Sequence, residues 1–181
     1  MSTTLYTTPI QTIDGKDSTL SQFQGEVLLI VNVASKCGLT PQYEGLEKLQ
    51  QQHQGQQFSV LGFPANDFGD QEPGDNQEIQ RFCSTNYNVQ FPLFSKIVVT
   101  GVDKHPLYAQ LISSFPTTAG REAMEQMLKG YNIEPTQAPE VVWNFEKFLI
   151  SRTGQVVGRF APNTAPDDAA LVAAIEAELA K

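Results

Sequence analysis

An α/β domain with a central mixed β-sheet flanked by helices and a small N-terminal β-hairpin is what this sequence predicts, and three observations predict it. The first is a strand, helix, strand succession between Val27 and Phe63, the pattern of a βαβ unit with parallel strands. The second is a late pair of strands, Asn144 to Ser151 and Val156 to Phe160, joined by a turn at Arg152-Thr153-Gly154, which makes the sheet mixed. The third is composition: 181 residues, 40% apolar and 18% charged, suit a single domain spanning residues 1–181 that buries one substantial core without staples, and no repeat interrupts it.

In chain order, Ile13-Asp14-Gly15-Lys16 reads as the turn between two short strands, and Phe23-Gln24-Gly25 leads into the apolar strand Val27 to Val33. That strand stops at Lys36-Cys37-Gly38. Thr40 as N-cap and Pro41 as first helical residue open a helix that runs to His53, with Tyr43, Leu46 and Leu49 along one face. A strand from Phe58 to Phe63 follows, then the loop PANDFGDQEPG from Pro64 to Gly74. Asp75 and Glu78 have capping-box spacing and open a helix whose apolar face carries Ile79, Phe82 and Cys83. Phe91-Pro92-Leu93-Phe94 breaks that helix and leads to a strand at Lys96 to Thr100. Between Val102 and Glu140 one helix is predicted, His105 to Ser114; the Pro/Gly-punctuated remainder yields no element. The last helix has Thr164 and Asp167 as its N-terminal signal and Leu171, Val172, Ile175 and Leu179 as its apolar stripe.

Charge narrows the function classes. A net charge of −8 and a pI near 4.7, with no Lys/Arg-rich run, argue against nucleic acid or an anionic membrane as partner. The N-terminus lacks a basic region followed by an apolar core, and the longest apolar run, Val27 to Val31, is too short to span a bilayer, so a cytoplasmic location is expected. Two cysteines, Cys37 and Cys83, are too few for a disulfide framework, and with only His53 and His105 beside them no zinc site is expected. In a reducing compartment such a pair is catalytic or redox-sensing rather than structural.

Cys37 sits where the strand turns into a helix. Unpaired amides and the positive end of the helix dipole favour a thiolate there, and Lys36 adds a positive charge, so the thiol is expected to ionise readily. A buried, purely packing cysteine fits the same residues equally well.

Four segments together, NVASKCGLT (Asn32 to Thr40), LGFPANDFGDQEPG (Leu61 to Gly74), FPLFSKI (Phe91 to Ile97) and WNFEKFL (Trp143 to Leu149), resemble the glutathione peroxidase family, a branch of the thioredoxin-like fold. The likeness runs from the hairpin to the last helix and is greatest to bacterial members that carry cysteine where some animal members carry selenocysteine. It implies a thioredoxin-like fold, reduction of hydrogen peroxide and organic hydroperoxides in defence against oxidative stress, a peroxidatic Cys37 surrounded by Gln71, Trp143 and Asn144, and no cofactor. The grouping makes chemical sense: attack on a peroxide needs an ionised sulfur and a proton for the departing oxygen, and amide and indole N–H donors serve both without a competing negative charge. Two positions depart from many relatives, Ala65 in place of a cysteine and Asp67 in place of a glutamine. A carboxylate pointing inward from residue 67 would raise the thiol pKa; a solvent-facing Asp67 is expected.

Cys83, in the context IQRFCSTNY, resembles the resolving cysteine of thioredoxin-dependent members. That resemblance implies a Cys37–Cys83 disulfide reduced by thioredoxin, with local unwinding of the Cys83 helix so that the two residues can meet. Cys83 as packing is equally written in the stripe Ile79, Phe82, Cys83. Glutathione is the competing donor, for which this acidic chain offers only scattered cations such as Lys36, Lys96 and Arg152. The segment from Val102 to Glu140 resembles an insertion that oligomeric members place at subunit contacts. Two other classes compete with the peroxidase: a peroxide sensor passing oxidation of Cys37 to a partner, and a thiol-disulfide exchange enzyme, against which the missing Cys-x-x-Cys pair (Thr40 in the second position) weighs.

Overall fold

The computed structural model describes residues 4–181. A short helix, α1 (Thr4–Thr7), precedes the antiparallel pair β1 (Ile10–Gln11) and β2 (Asp17–Ser18). Their turn closes through Gly15, whose φ of 86° suits a residue without Cβ. Strand β3 (Val27–Val33) is buried along its whole length. It lies between β4 (Phe58–Pro64), parallel with Val27 opposite Phe58 and Val33 opposite Pro64, and β5 (Lys147–Ile150), antiparallel with Val31 opposite Lys147. Strand β6 (Val156–Phe160) completes the order β4-β3-β5-β6. A strand flanked on both sides and covered on both faces is apolar wherever no buried partner waits for a polar group, which is why VLLIVNV shows no alternation and only Asn32 interrupts it.

Five further helices cover the sheet: α2 (Gln42–Gln52), α3 (Asn76–Tyr87), α4 (Pro106–Ser114), α5 (Arg121–Gly130) and α6 (Ala169–Leu179). One contiguous apolar cluster runs from Leu5 to Ile175. The α3 capping box is formed: the Glu78 N–H donates to Asp75 Oδ1 at 2.8 Å and the Asp75 N–H returns to Glu78 Oε1 at 3.2 Å.

Four sequence-based boundaries are corrected. No strand forms at Lys96 to Thr100, because its amides are already engaged: Lys96 N–H with Asn76 Oδ1, Ile97 N–H with Pro64 O, and Val99 and Thr100 N–H with Asp67 Oδ2. Sheet contact comes earlier, through Leu93 beside Gly62 and Phe94 beside Thr12. Strand β5 begins at Lys147 rather than Asn144, since Phe145 takes a φ of 73° that an extended strand cannot hold. The last helix is capped by Asp168, whose carboxylate accepts from the Ala170 and Leu171 amides, rather than by Thr164 and Asp167. Finally, α5 occupies the stretch where no element was expected; its N-cap is Gly120, which offers no side-chain signal, and Arg121 fixes it to the chain beyond by donating to Glu140 O and Thr136 O.

Buried charge is carried by Lys147 at the start of β5, by Glu146 just before it, and by Arg159 on β6. Glu146 and Arg159 pair at 2.5 Å with both side chains fully enclosed, and Val142 N–H, Phe115 O and Pro139 O satisfy their remaining groups. Removing one partner of such a pair costs roughly 3–5 kcal/mol. Lys147 forms no ion pair among the described residues, although Glu146 and Asp168 act on it from further off; its ammonium donates to Gln42 Oε1, Pro162 O and Thr164 O at 2.6 to 2.9 Å. Burial pushes its pKa down to about 7. In the unfolded chain the amine titrates near 10.4, so between the two values the unfolded state binds more protons and stability contributed by this site rises with pH. The unfolding free energy of wild type relative to Lys147→Met should therefore increase from pH 7 to pH 9 in denaturant titrations; a difference independent of pH would contradict the assignment.

Candidate active site

Residues 35–41 form a tight turn between β3 and α2, and Cys37 stands at its centre. The Cys37 N–H donates to Thr40 Oγ1 at 2.9 Å, and the Thr40 hydroxyl donates to Ala34 O at 2.8 Å. Thr40 therefore holds the turn instead of capping α2, whose N-cap position is Pro41. The amide that reaches the sulfur is that of Leu39, 3.3 Å from Cys37 Sγ.

Two other segments close on this turn, both anchored to the end of β3. Asn32, fully buried, donates through Nδ2 to Trp143 O at 3.1 Å and accepts at its carbonyl from Phe145 N–H at 2.6 Å. This brings Trp143 and Asn144 over the turn. On the other side Ala65 N–H donates to Val33 O, Lys36 N–H to Gln71 O and Ser35 N–H to Glu72 Oε1, which draws in the loop after β4. Gly69 lies beneath the indole: a Cβ there would sit 3.4 Å from two Trp143 ring carbons. Phe68 flanks the same ring with centroids 5.3 Å apart.

The structure thus brings Cys37, Gln71, Trp143 and Asn144 together. Asn144 Nδ2 donates to Gln71 Oε1 at 2.9 Å, and the Asn144 amide and Trp143 indole are near enough to Cys37 to favour its ionised form. Gln71 and Trp143 line, with Cys37, Gly38 and Leu39, one side of a cleft of about 370 Å³; Met124, Met127, Leu128 and Tyr131 of α5 and its C-cap, with Ile133, form the other. That apolar wall was not visible in the sequence because α5 was not. Asn32 could have been found: it is the one polar residue in the run VLLIVNV and must be there for its hydrogen bonds.

Contrary to the expectation of a readily ionised thiol, Cys37 is raised above its ordinary value. Burial is the cause, and the Leu39, Asn144 and Trp143 donors offset it only in part. Lys36 does not help; it lines a different groove. Asp67 is half-buried rather than simply solvent-facing: it accepts the Val99 and Thr100 amides at 2.9 Å each, and burial raises its carboxyl. Cys83, fully buried on α3, does not line the Cys37 cleft. Both thiols are free. The Cys83 thiol lies against Tyr43 and is pushed up to about 11 by burial.

The glutathione peroxidase model matches residues 5–112, well over half of the chain. The chain belongs to the glutathione peroxidase family. It is 47% identical to the thioredoxin/glutathione peroxidase BtuE of Escherichia coli (strain K12), over the whole of both chains. To the hydroperoxy fatty acid reductase gpx1 of Synechocystis sp. it is 44% identical, over 92% of each chain. Among solved structures, the crystal structure of Trgpx in apo form superposes with a TM-score of 0.71 at 34% identity, covering 98% of this chain and 96% of that one. The fold is thioredoxin-like, and the protein is a peroxidase that draws its electrons from a thiol.

Because the Asn144 amide acts on the ionised sulfur, Asn144→Ala should slow alkylation of Cys37 by iodoacetamide at neutral pH by about tenfold, the loss of one hydrogen bond to a charged group. Wild-type alkylation should still be rising above pH 8.5. An unchanged rate in Asn144→Ala would show that the amide serves Gln71 alone.

Proposed function

We propose that Cys37 is the peroxidatic residue, that Gln71, Trp143 and Asn144 are the groups that stabilise the sulfur and the departing oxygen, and that Cys83 resolves the oxidised site for reduction by thioredoxin. The observation that carries this reading is that Cys37, whose sulfur accepts from Leu39 N–H, shares one cleft with Gln71 and Trp143, and that Asn144 is hydrogen-bonded to Gln71 beside it. The Cys37 thiolate attacks one peroxide oxygen, the O–O bond breaks, and the second oxygen leaves as water or alcohol after taking up the thiol's proton. Neutral donors stabilise the charge both on sulfur and, later in the step, on oxygen. Cys37 is left as a sulfenic acid, which the Cys83 thiol converts to a disulfide with loss of water, its proton leaving with the sulfenic oxygen.

Several features favour thioredoxin over glutathione. None of the residues lining the Cys37 cleft is Lys or Arg, and the scattered cations are engaged elsewhere: Lys96 donates to Glu72 O and Gly74 O, and Arg152 to Gly25 O and Leu179 O. A doubly anionic tripeptide finds no charged landing site there. Resolution through Cys83 also needs α3 to loosen. Only Ile79 and Cys83 of its twelve residues are fully buried, which is the mark of an element that opens at low cost. The apolar wall of α5 suits an organic hydroperoxide, in line with the name of the Synechocystis relative. No helix among the described residues is long and apolar enough to cross a membrane, and the reading places the enzyme in the cytoplasm, where thioredoxin is kept reduced.

Peroxide-dependent NADPH oxidation should proceed with thioredoxin and its reductase and be abolished in both Cys37→Ser and Cys83→Ser. Activity of Cys83→Ser with glutathione would make Cys83 a packing residue, and failure of wild type with either couple would favour the peroxide sensor. For an apolar hydroperoxide such as cumene hydroperoxide, Met127→Glu should raise KM about tenfold, as expected for roughly 1.5 kcal/mol of lost apolar contact, and leave turnover of hydrogen peroxide unchanged. Equal effects on both substrates would remove α5 from substrate selection.

A further inference from the structure

The catalytic reading leaves one chemical requirement unassigned. To attack the Cys37 sulfenic acid, Cys83 must lose a proton in apolar surroundings, and none of the groups around Cys37 is a base. The molecule has a second groove, of about 350 Å³, on the other side of the Cys37 turn. It is lined by Ser35, Lys36 and Glu72 facing Ile79 and Phe82 of α3. Cys83 is the next residue after Phe82 and lies one turn beyond Ile79, on the buried face of α3.

Glu72 is the unexplained group in this groove. It is 1% exposed, a burial that carboxylates reach only when paired. Its backbone is fixed, the N–H donating to Asn66 Oδ1 at 2.8 Å and the carbonyl accepting from Lys96 Nζ at 3.0 Å. Oε1 accepts from Ser35 N–H at 3.1 Å; Oε2 is buried with no partner at hydrogen-bond geometry, and the Ser35 hydroxyl, the one side-chain hydrogen-bond donor that acts on this carboxyl, is itself left unpaired. The Tyr43 hydroxyl, beside Cys83, is also unpartnered. An unsatisfied carboxylate oxygen in such a place costs stability, and a proton-accepting role accounts for it.

We propose that Glu72 is the proton acceptor for Cys83 in the resolving step. The inference rests on the resolving role of Cys83 proposed above. As α3 loosens, the Cys83 thiol moves across the groove toward Cys37 and passes Glu72. The carboxylate takes the thiol proton; the Cys83 thiolate attacks Cys37 Sγ and forms the S–S bond while the Cys37 S–O bond breaks. The departing hydroxide recovers the proton from the Glu72 carboxyl and leaves as water, so the carboxylate is regenerated and no outside oxidant or reductant is consumed. Burial raises Glu72, and its charge acts on both Cys83 and Tyr43. The groups facing it are Lys36 and Lys96, whose positive charges hold it partly down, with Ser35 from the turn, Tyr43 from α2, and Cys83 and Glu78 from α3.

The test separates the two half-steps in Glu72→Gln, which keeps an oxygen to accept from Ser35 N–H but cannot take a proton. One equivalent of peroxide is added to reduced protein; sulfenic acid formation is followed by dimedone trapping and disulfide formation by mass spectrometry of quenched samples, from pH 6 to pH 9. The expected result is sulfenic acid formation at the wild-type rate, with disulfide formation slowed at least tenfold at neutral pH and rising with hydroxide concentration, where wild type levels off. Glu72→Asp should recover part of the rate. A disulfide rate within twofold of wild type with the same pH profile would overturn the proposal. Equal slowing of both half-steps would also overturn it, leaving Glu72 as a support for the Ser35 turn. If wild type itself forms no Cys37–Cys83 disulfide, the resolving reading of Cys83 fails first, and is seen to fail independently of any Glu72 variant.

Discussion

Everything at the cleft depends on how the free end of β3 is satisfied. A parallel strand in the middle of a sheet must release its last peptide groups into loops, where buried amides and carbonyls still need partners. Here the partners come from both sides. Val33 O takes the amide of Ala65, and Asn32 takes the Phe145 amide with its carbonyl and reaches Trp143 O with its side chain. Two loops more than seventy residues apart in sequence are thereby tied to the same two residues, immediately before the turn that carries Cys37. This places Gln71 and Asn144 within hydrogen-bonding distance of each other, and no second element is needed to align them.

The same economy explains the buried charges. Glu146, Lys147 and Arg159 lie at or beside the ends of β5 and β6 with nothing catalytic to do, yet each is spent on irregular backbone: Glu146 on Val142 N–H, Arg159 on Phe115 O and Pro139 O, Lys147 on Pro162 O and Thr164 O. Long loops that cannot pair with a sheet are fastened by side chains rooted in it. Lys147 also holds Gln42 Oε1, the first residue of α2, so the helix following the Cys37 turn is fixed by the strand following Trp143 and Asn144.

How far the sequence can be read follows from this. Features whose signal is complete within a few residues were legible: the Gly15 turn, the Asp75 and Glu78 capping box, the apolar run of β3, the helix opened by His105. Those that depend on distant partners were not. Lys96 to Thr100 looks like a strand, and only the carboxylate of Asp67 and the amide of Asn76, some twenty to thirty residues away, show where its amides go. Helix α5 starts at a glycine with no side-chain cap; the apolar residues Met124, Met127, Leu128 and Tyr131 do recur at helical spacing, but the short run lies between Pro- and Gly-punctuated segments that masked it. At the site, Cys37 could be singled out from its junction, whereas Gln71, Trp143 and Asn144 carry no local signal and entered only through the resemblance. Thr40 illustrates the limit: a residue type that caps helices was assigned to the helix, but its hydroxyl was needed three residues earlier, for the Cys37 amide.

The raised thiol also changes how the site is to be understood. A helix terminus and a neighbouring lysine would produce a thiolate open to any electrophile, whereas burial with neutral donors leaves a thiol that is protonated at rest and whose donors are already in position. Such donors cost no reorganisation when charge appears, first on sulfur and then on the oxygen that leaves. A fixed cation would hold the charge on sulfur and resist its transfer to oxygen; an amide and an indole can follow the charge, and bond more strongly to the compact oxyanion than to the diffuse sulfur. Selectivity for peroxide then comes from the step itself, because only a substrate that can accept the charge inside the cleft benefits from the donors. On the proposed reading the apolar wall of α5 adds a separable effect: it takes up the organic part of a hydroperoxide, while the donors act on the departing oxygen whichever peroxide is bound.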